Sequence, residues 1–482
     1  MARAQSRYVC QACSEAFLRW EGQCRNCGGW NSLVETLIRD SPKGTRPAGG
    51  RPGAAANRPG DQPEALARVA DADLPRLSVG LPELDRVLGG GLVPGSVVLV
   101  GGEPGIGKST LLLQAAAGVA AFGTVLYASG EESSAQVRLR ATRLGLTQGA
   151  AGLAVRVVAE SSIDRIVDLA LAERPSLLIV DSIQTASVDE LDGAAGSVGQ
   201  VRESALRLME LAKSSGMSSS GATPETAARA GAIAVVIVGH VTKDGSLAGP
   251  KTLEHLVDAV IGLEGERYAT LRLFRSTKNR FGSTEEVGVL EMGESGLTAL
   301  SDPARAFLVE HEGHAPGSIV APTLEGSRPL LVEVQALTAS TAYGTPRRTA
   351  SGLDQNRLAL LIAVLGRRAG VGLGSHDVYA NLAGGLVLDE PALDLPLAIA
   401  LASSFRDRPV RIGTVAVGEV GLLGELRSVS GLERRLREAA RLGFDRAIVP
   451  RASRTGPLPE IPGLAVVAVA TLREALERAL EG

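Results

Sequence analysis

The sequence predicts an α/β protein with three folded parts. These are a small four-cysteine metal module, a doubly wound parallel sheet around a phosphate loop, and a third α+β unit. Three observations predict this. All four cysteines lie in the first 27 residues, spaced C-x2-C…C-x2-C. Short apolar runs rich in β-branched residues then alternate with helical stretches, and the first run leads into G-x4-G-K-S. After residue 300, amphipathic helices alternate with further strands.

The 482 residues suffice for about three domains. Lys plus Arg is 50 against 53 Asp plus Glu, a formal charge of −3. That excludes a uniformly basic coat but leaves room for a local basic groove. Apolar residues make up 45% of the chain, which excludes wholesale disorder. No apolar run reaches the length of a transmembrane helix. MARAQSRYVC lacks the apolar core of a secretory signal.

Residues 1–35 hold Cys10, Cys13, Cys24 and Cys27. Each C-x2-C turn offers two thiolates, and two turns complete a tetrahedron around Zn²⁺, closed and therefore structural. Tyr8, Phe17, Trp20 and Trp30 are the expected miniature core; without metal it is too small to hold the module. A redox pair or chance spacing is the alternative.

Residues 36–75 are expected to be a flexible linker. Ten of the 23 residues in 41–63 are Pro or Gly, with no Val, Ile, Leu or aromatic among them.

Residues 76–300 carry the nucleotide chemistry. SVVLVGG, TVLYASG, SLLIVDS and AIAVVIVGH are expected buried parallel strands. STLLLQAAAGVAAFG and QVRESALRLMELAKSS are expected helices between them, and a strand pair closes the unit. Gly102, Glu103, Pro104, Gly105, Ile106, Gly107, Lys108, Ser109 and Thr110 form the phosphate loop. Its amides wrap a polyphosphate, Lys108 reaches the β- and γ-phosphates, and Ser109 ligates Mg²⁺. Asp181, ending an apolar strand, is the expected Mg²⁺ acid, acting through water, with a helix N-cap as the alternative.

Glu131 is the candidate base for the attacking water and Glu132 its backup. Their strand is expected beside the phosphate-loop strand. First-turn glutamates of a helix are the competing reading. His240 ends a central strand, where a polar group can sense the γ-phosphate; a satisfied buried histidine competes. Lys278 and Arg280 are expected on one strand face, from which they could reach a neighbouring subunit's phosphates; a solvated strand face is the competing reading. Residues 214–231 read as a surface insertion away from the ligand edge of the sheet.

The four-cysteine knuckle, GGEPGIGKST, YASGEES, IVDS, VGHVTKDGSLAGPKTLEH and KNRFG, in this order, resemble the bacterial RadA (Sms) family. The likeness spans essentially the whole chain except the linker and residues 214–231. It implies a zinc finger, a RecA-like ATPase and a Lon-protease-like domain over 301–482. It also implies a DNA-stimulated ATPase in recombinational repair that processes or migrates branched intermediates on single-stranded DNA. The implied partners are the RecA recombinase and a replicative helicase. The implied assembly is a hexameric ring, cytoplasmic and free of membrane.

On this resemblance Glu131 takes the catalytic glutamate position and His240 the γ-phosphate sensor. Residues 188–200 and 242–252 match the two DNA loops, with Lys243 and Lys251 facing DNA phosphates. Lys278 and Arg280 fall in the intersubunit KNRFG motif. At the Lon Ser–Lys dyad positions stand Asp394 and Glu433, and an acid cannot supply the amine that activates a serine. Arg434, Arg435, Arg437 and Arg441 are candidates for duplex DNA contact. The competing functions are an ATP-dependent protease, disfavoured by the missing dyad, a RecA-fold signalling autokinase, disfavoured by the single phosphate loop, and a non-hydrolysing regulator, disfavoured by an intact Glu131, Asp181 and Lys108.

Overall fold

The computed structural model describes residues 5–10, 16–30, 33–38, 76–216, 232–240, 252–265, 270–300, 302, 308, 315–341, 344–384, 387–451 and 458–481. Cys13, Lys243, Lys251, the linker over 39–75 and most of the 214–231 insertion lie outside the described residues. The chain divides into two compact units. One comprises Met1–Leu263, Ser276–Ser283 and Glu294–Leu297; the other Glu264–Arg275, Thr284–Gly293 and Thr298–Gly482.

At the start of the first unit, β1 (Gln5–Cys10), β2 (Ala16–Phe17) and β3 (Leu33–Ile38) form an antiparallel sheet in the order β2-β1-β3. Its core is Cys10, Cys24 and Leu33, with Tyr8 and Phe17 packed against them. The expectation that Trp20 and Trp30 join this core fails, because they are 56% and 73% exposed. Their rings lie over Gly22, where a Cβ would sit 3.7 Å from Trp30 and 4.0 Å from Trp20. A sheet this small encloses too little volume to cover two indoles.

The rest of the unit is a parallel sheet wound on both faces. Short helix α1 (Pro82–Leu88) precedes β4 (Val97–Gly102), which runs through the phosphate loop into α2 (Lys108–Val119). There follow β5 (Val125–Ser129), α3 (Ser134–Arg143), α4 (Gly149–Ala154), β6 (Val155–Ala159), α5 (Ile163–Glu173), β7 (Leu177–Asp181) and α6 (Val198–Gly216). Then come β8 (Ala234–His240), α7 (Thr252–Leu256) and β9 (Ala259–Glu264). The parallel order is β9-β4-β8-β7-β5-β6.

Strands β4, β5 and β7 are buried throughout, as expected where helices cover both faces. One face packs Val97, Leu99, Leu126 and Val180 against Ile166 of α5 and Val201 and Leu208 of α6. Strands β10 (Leu271–Asn279) and β11 (Val287–Gly293) pair antiparallel from Leu271↔Glu291 to Arg275↔Val287, a stretch that belongs to the second unit, and β12 (Gly296–Ala299) follows.

The second unit is a seven-stranded mixed sheet. Its strands are β13 (Ser318–Glu325), β14 (Arg328–Ser340), β15 (Arg348–Ser351), β16 (His376–Leu382), β17 (Thr414–Ala416), β20 (Arg446–Pro450) and β21 (Ala465–Val469). Their order is β15-β16-β14-β13-β17-β20-β21. A separate two-stranded ribbon, β18 (Glu419–Val420) with β19 (Leu426–Arg427), lies between β17 and β20 in sequence.

Helices α8 (Gln355–Arg368), α9 (Asp394–Arg406), α10 (Leu432–Arg441) and α11 (Leu472–Ala479) complete the second unit. Residues Asp394 to Ser403 of α9 are all buried. A helix apolar on every side belongs at the centre of a core, and α9 packs there with Leu361, Leu365, Leu472 and Leu476.

Candidate ATP and metal sites

The phosphate loop is shaped by its glycines. A Cβ at Gly102 would lie 2.8 Å from the Leu263 carbonyl oxygen, so the backbone approach tolerates no side chain. Gly107 has φ 113° where the loop enters α2, a left-handed conformation open to glycine. Ile106 is buried and anchors the loop. Lys108 is buried and donates to the Gly102 and Glu103 carbonyls at 2.7 and 2.9 Å. Burial holds its ammonium below the usual lysine range, against the pull of Asp181, Glu131 and Glu103. Ser109 stands in the first turn of α2.

Asp181 and Glu131 both act on Lys108 through charge. The strand of Glu131 is not beside β4, as the sequence suggests, because β8 and β7 lie between them. Interleaving is normal in a doubly wound sheet, where chain order and strand order differ. Glu131 bridges the gap: its Oε1 accepts from Ser182 Oγ at 2.7 Å and lies 3.2 Å from His240 Nε2. His240 is paired in register with Gly102, which brings this end of β8 to the start of the loop.

Burial pushes the Glu131 carboxyl up. The Ser182 and His240 hydrogen bonds and the charge of Lys108 outweigh burial and leave it below its ordinary range. Helix α3 begins at Ser134 with a Ser133/Gln136 capping box, so Glu131 and Glu132 precede the helix rather than occupy its first turn. Glu132 pairs with Arg140 instead. His240 is half-buried, and among the described residues its buried Nδ1 has no hydrogen-bond partner.

Asp181 closes β7 and caps no helix, since α6 begins only at Val198. Its Oδ2 accepts from Tyr127 Oη at 2.6 Å. Burial, then Asp181, hold the Tyr127 phenol well above its ordinary range. Tyr127 and Ser182 were not read from the sequence as site residues. Ser182 directly follows the apolar strand; Tyr127 is the lone hydroxyl-bearing residue between Val125 and Ala128. A hydroxyl facing a buried strand end was the available signal.

Lys278 and Arg280 are both bonded within their own unit. Lys278 Nζ donates to the carbonyls of Glu254, His255 and Val257 at 2.7, 3.2 and 2.8 Å, capping α7. Strand β10 ends at Asn279, so Arg280 lies just past it and is about half exposed. Arg280 Nη1 lies 3.1 Å from Asp258 Oδ1, and Asp258 Oδ2 accepts from the Val97 amide at the foot of β4. Residues 188–197 are wrapped around buried Gln200, which bonds the backbone of Val188 and Leu191.

In the finger, the Sγ atoms of Cys10, Cys24 and Cys27 lie within 4.8 Å of one another. The second knuckle closes through Gly28 N to Cys24 O and Cys24 N to Gly29 O, both 2.8 Å, with Gly28 at φ 75°. Three thiolates gathered on one point suit Zn²⁺.

In the second unit, Asp394 is 2% exposed at the start of α9. Arg357 grips it with Nε to Oδ1 at 2.7 Å and a second bond from Nη2, and the Val420 amide donates to Oδ2 at 3.0 Å. Burial pushes the Asp394 carboxyl up, and these donors oppose it. Glu433 is exposed and pairs with Arg437.

Reading the Arg434–Arg441 run as a DNA face requires a correction at Arg435. That residue is fully buried and bonded to Ser430 O, Pro322 O and Glu390. It falls on the inward stripe of α10 with Leu436 and Ala439. Arg441 is bound to Glu438 and Asp302, and Arg434 is exposed.

Comparison with known proteins agrees with this layout. A family model described as an AAA domain matches residues 62–189. A rubredoxin metal-binding domain matches 8–35, and a model described as subunit ChlI of Mg-chelatase matches 355–453. DNA repair protein RadA of Bacillus subtilis is 44% identical over 100% of both chains. That of Pseudomonas aeruginosa is 46% identical, again over 100% of both. Among solved structures, the RadB recombinase covers 47% of this chain at 20% identity, with a TM-score of 0.35. No described helix is long and apolar enough to cross a membrane. With a zinc-ribbon module, a phosphate-loop ATPase core and a Lon-like unit in one continuous full-length match, the chain belongs to the RadA family of DNA repair proteins.

Proposed function

We propose that this chain couples ATP hydrolysis to movement on single-stranded DNA and so processes branched intermediates of recombinational repair. The observation that carries the reading is Glu131, poised between Ser182 and His240 on one side and the charge of Lys108 on the other. A carboxylate held ionised at neutral pH suits a base that takes a proton from the attacking water. Lys108 and the loop amides stabilise the phosphates, and Ser109 with Asp181 provide the hydroxyl and carboxylate that suit Mg²⁺. Bound Mg²⁺ would neutralise the developing phosphate charge. His240 joins the base to residues 241–251, where Lys243 and Lys251 contact DNA phosphates; a γ-phosphate that competes with Glu131 for His240 releases this link.

The working unit is a cytoplasmic homohexamer acting with the RecA recombinase and a replicative helicase. Cys13 supplies the fourth zinc ligand. Residues 301–482 act as a scaffold without peptidase chemistry, since the dyad positions hold a buried ion-paired acid and an exposed one. Arg280 serves the neighbouring subunit's γ-phosphate, leaving Asp258 to do so. If this is right, Arg280→Ala and Lys108→Ala subunits, each inactive, regain turnover when mixed. Mixed rings without activity would sink the trans role. ATP turnover with and without single-stranded DNA tests the whole reading. DNA should raise the rate, and Lys108→Ala should abolish it under both conditions. A rate indifferent to DNA would refute the coupling.

A further inference from the structure

We infer that Tyr127 is a positioning residue for the Mg²⁺ acid. The inference rests on the reading of Asp181 given above. Strands β5 and β7 run parallel with Tyr127 opposite Ile179 and Ser129 opposite Asp181. Side chains two residues apart share a sheet face, so Asp181 and Tyr127 project to the same side. Tyr127 starts one pleat lower, about 6–7 Å along the strand, and its ring spans that step. The phenol reaches Asp181 Oδ2 at 2.6 Å.

Three features make this bond an orienting device rather than incidental packing. First, Tyr127 is 0% exposed and Asp181 is 9% exposed, so water does not compete for either group. A buried hydroxyl or carboxylate without its partner is costly, so each group fixes the other. Second, the bond engages Oδ2 alone, and among the described residues no hydrogen bond reaches Oδ1. One carboxylate oxygen is thus pinned while the other takes no hydrogen bond among them, and the carboxylate's charge, like that of Glu131, is felt at Lys108. Third, the neighbouring donor Ser182 is committed to Glu131. The base and the metal acid therefore have separate hydroxyl partners, and neither can borrow the other's.

Partners that orient a ligating carboxylate are typically worth about 10–100-fold in metal affinity. Tyr127→Phe keeps the ring and removes only the donor. The probe is Mn²⁺, titrated by electron paramagnetic resonance into the full chain with a non-hydrolysable ATP analogue. Binding of a fluorescent nucleotide in EDTA is measured alongside. Tyr127→Phe should weaken Mn²⁺ by about 10-fold or more and leave nucleotide binding in EDTA unchanged. Asp181→Asn should weaken Mn²⁺ at least as much, and adding Tyr127→Phe to it should change nothing further.

If Asp181→Asn leaves Mn²⁺ binding intact, the reading of Asp181 fails and the inference falls with it. If Asp181→Asn weakens Mn²⁺ but Tyr127→Phe does not, only the inference fails. An equal loss of nucleotide binding with and without metal would make Tyr127 a structural residue and would also overturn it.

Discussion

Arg435→Met is expected to loosen the second unit by about 3–5 kcal/mol, the usual cost of removing one partner from a buried pair. Arg435 is 0% exposed, and its guanidinium donates to Ser430 O at 2.9 Å, to Pro322 O at 3.0 Å and to both oxygens of Glu390. Methionine keeps much of the apolar stem but none of the donors. Two carbonyls then lose a partner, at about 1–3 kcal/mol each when left dry. Glu390 loses its counter-charge, but its side chain is 21% exposed and it keeps Thr323 Oγ1 and the Leu324 amide as donors. The lower end of the range is therefore expected, about 3 kcal/mol.

Tryptophan fluorescence will not report this loss, because both tryptophans, Trp20 and Trp30, sit in the finger. Hydrogen exchange of the amides of α10 will report it, and 3 kcal/mol corresponds to about 100-fold faster opening. Arg434→Met and Arg437→Met, on the solvated side of the same helix, should change exchange little, within about 0.5 kcal/mol. If Arg435→Met behaves like Arg434→Met, the buried network is not the source of stability described here. If it instead weakens duplex DNA binding without changing exchange, the DNA-face reading of Arg435 returns.

Three further outcomes follow from the site. Glu131→Gln should retain nucleotide and slow turnover on the order of 10²–10⁴, the worth of a general base. Glu132→Gln should do much less, since Glu132 serves Arg140; equal losses in single-turnover assays would contradict the assignment. The acid limb of the kcat profile should fall at or below the ordinary value of 4.5 for a glutamate, because Glu131 is lowered from it. Ser182→Ala removes one lowering hydrogen bond, so the limb should move to higher pH; a limb unmoved or moved lower would disprove the coupling. Chelating zinc, or Cys24→Ser, should change the emission of Trp20 and Trp30 while nucleotide binding persists, and loss of both together would show that the finger is part of the ATPase fold.

Much of the first unit was legible in the sequence because its signals are local. Buried parallel strands appear as apolar runs, and the glycine spacing of the loop is contiguous. The contacts that arrange the site are not local. Glu131 meets Ser182 and His240, and Tyr127 meets Asp181, across separations of 51, 109 and 54 residues. These pairings depend on strand order, which places β8 and β7 between the phosphate-loop strand and the glutamate's strand. Sequence runs alone do not encode that order.

Helix α9 escaped notice for a different reason. Buried on every side, it has no polar face and hence no helical periodicity to read. The indoles of Trp20 and Trp30 were misplaced because residue type predicts burial only where there is volume to provide it. Arg435 was grouped with its neighbours because a run of arginines hides which one points inward.

The grip of Arg357 on Asp394 also limits what this scaffold can become. Suppose position 394 were changed to serine, to rebuild the nucleophile that the Lon-like resemblance places there. The Val420 amide and both arms of Arg357 would lose the acceptor they share. A cation would then stand beside the new hydroxyl, and the amine that should activate it would still be missing at the exposed Glu433. At least three changes, at 357, 394 and 433, would have to arrive together, and the intermediates would carry a stranded charge in or near the core. On the reading proposed for this unit, the Arg357–Asp394 bond thus behaves as a ratchet: it makes a stepwise gain of a serine nucleophile at 394 costly.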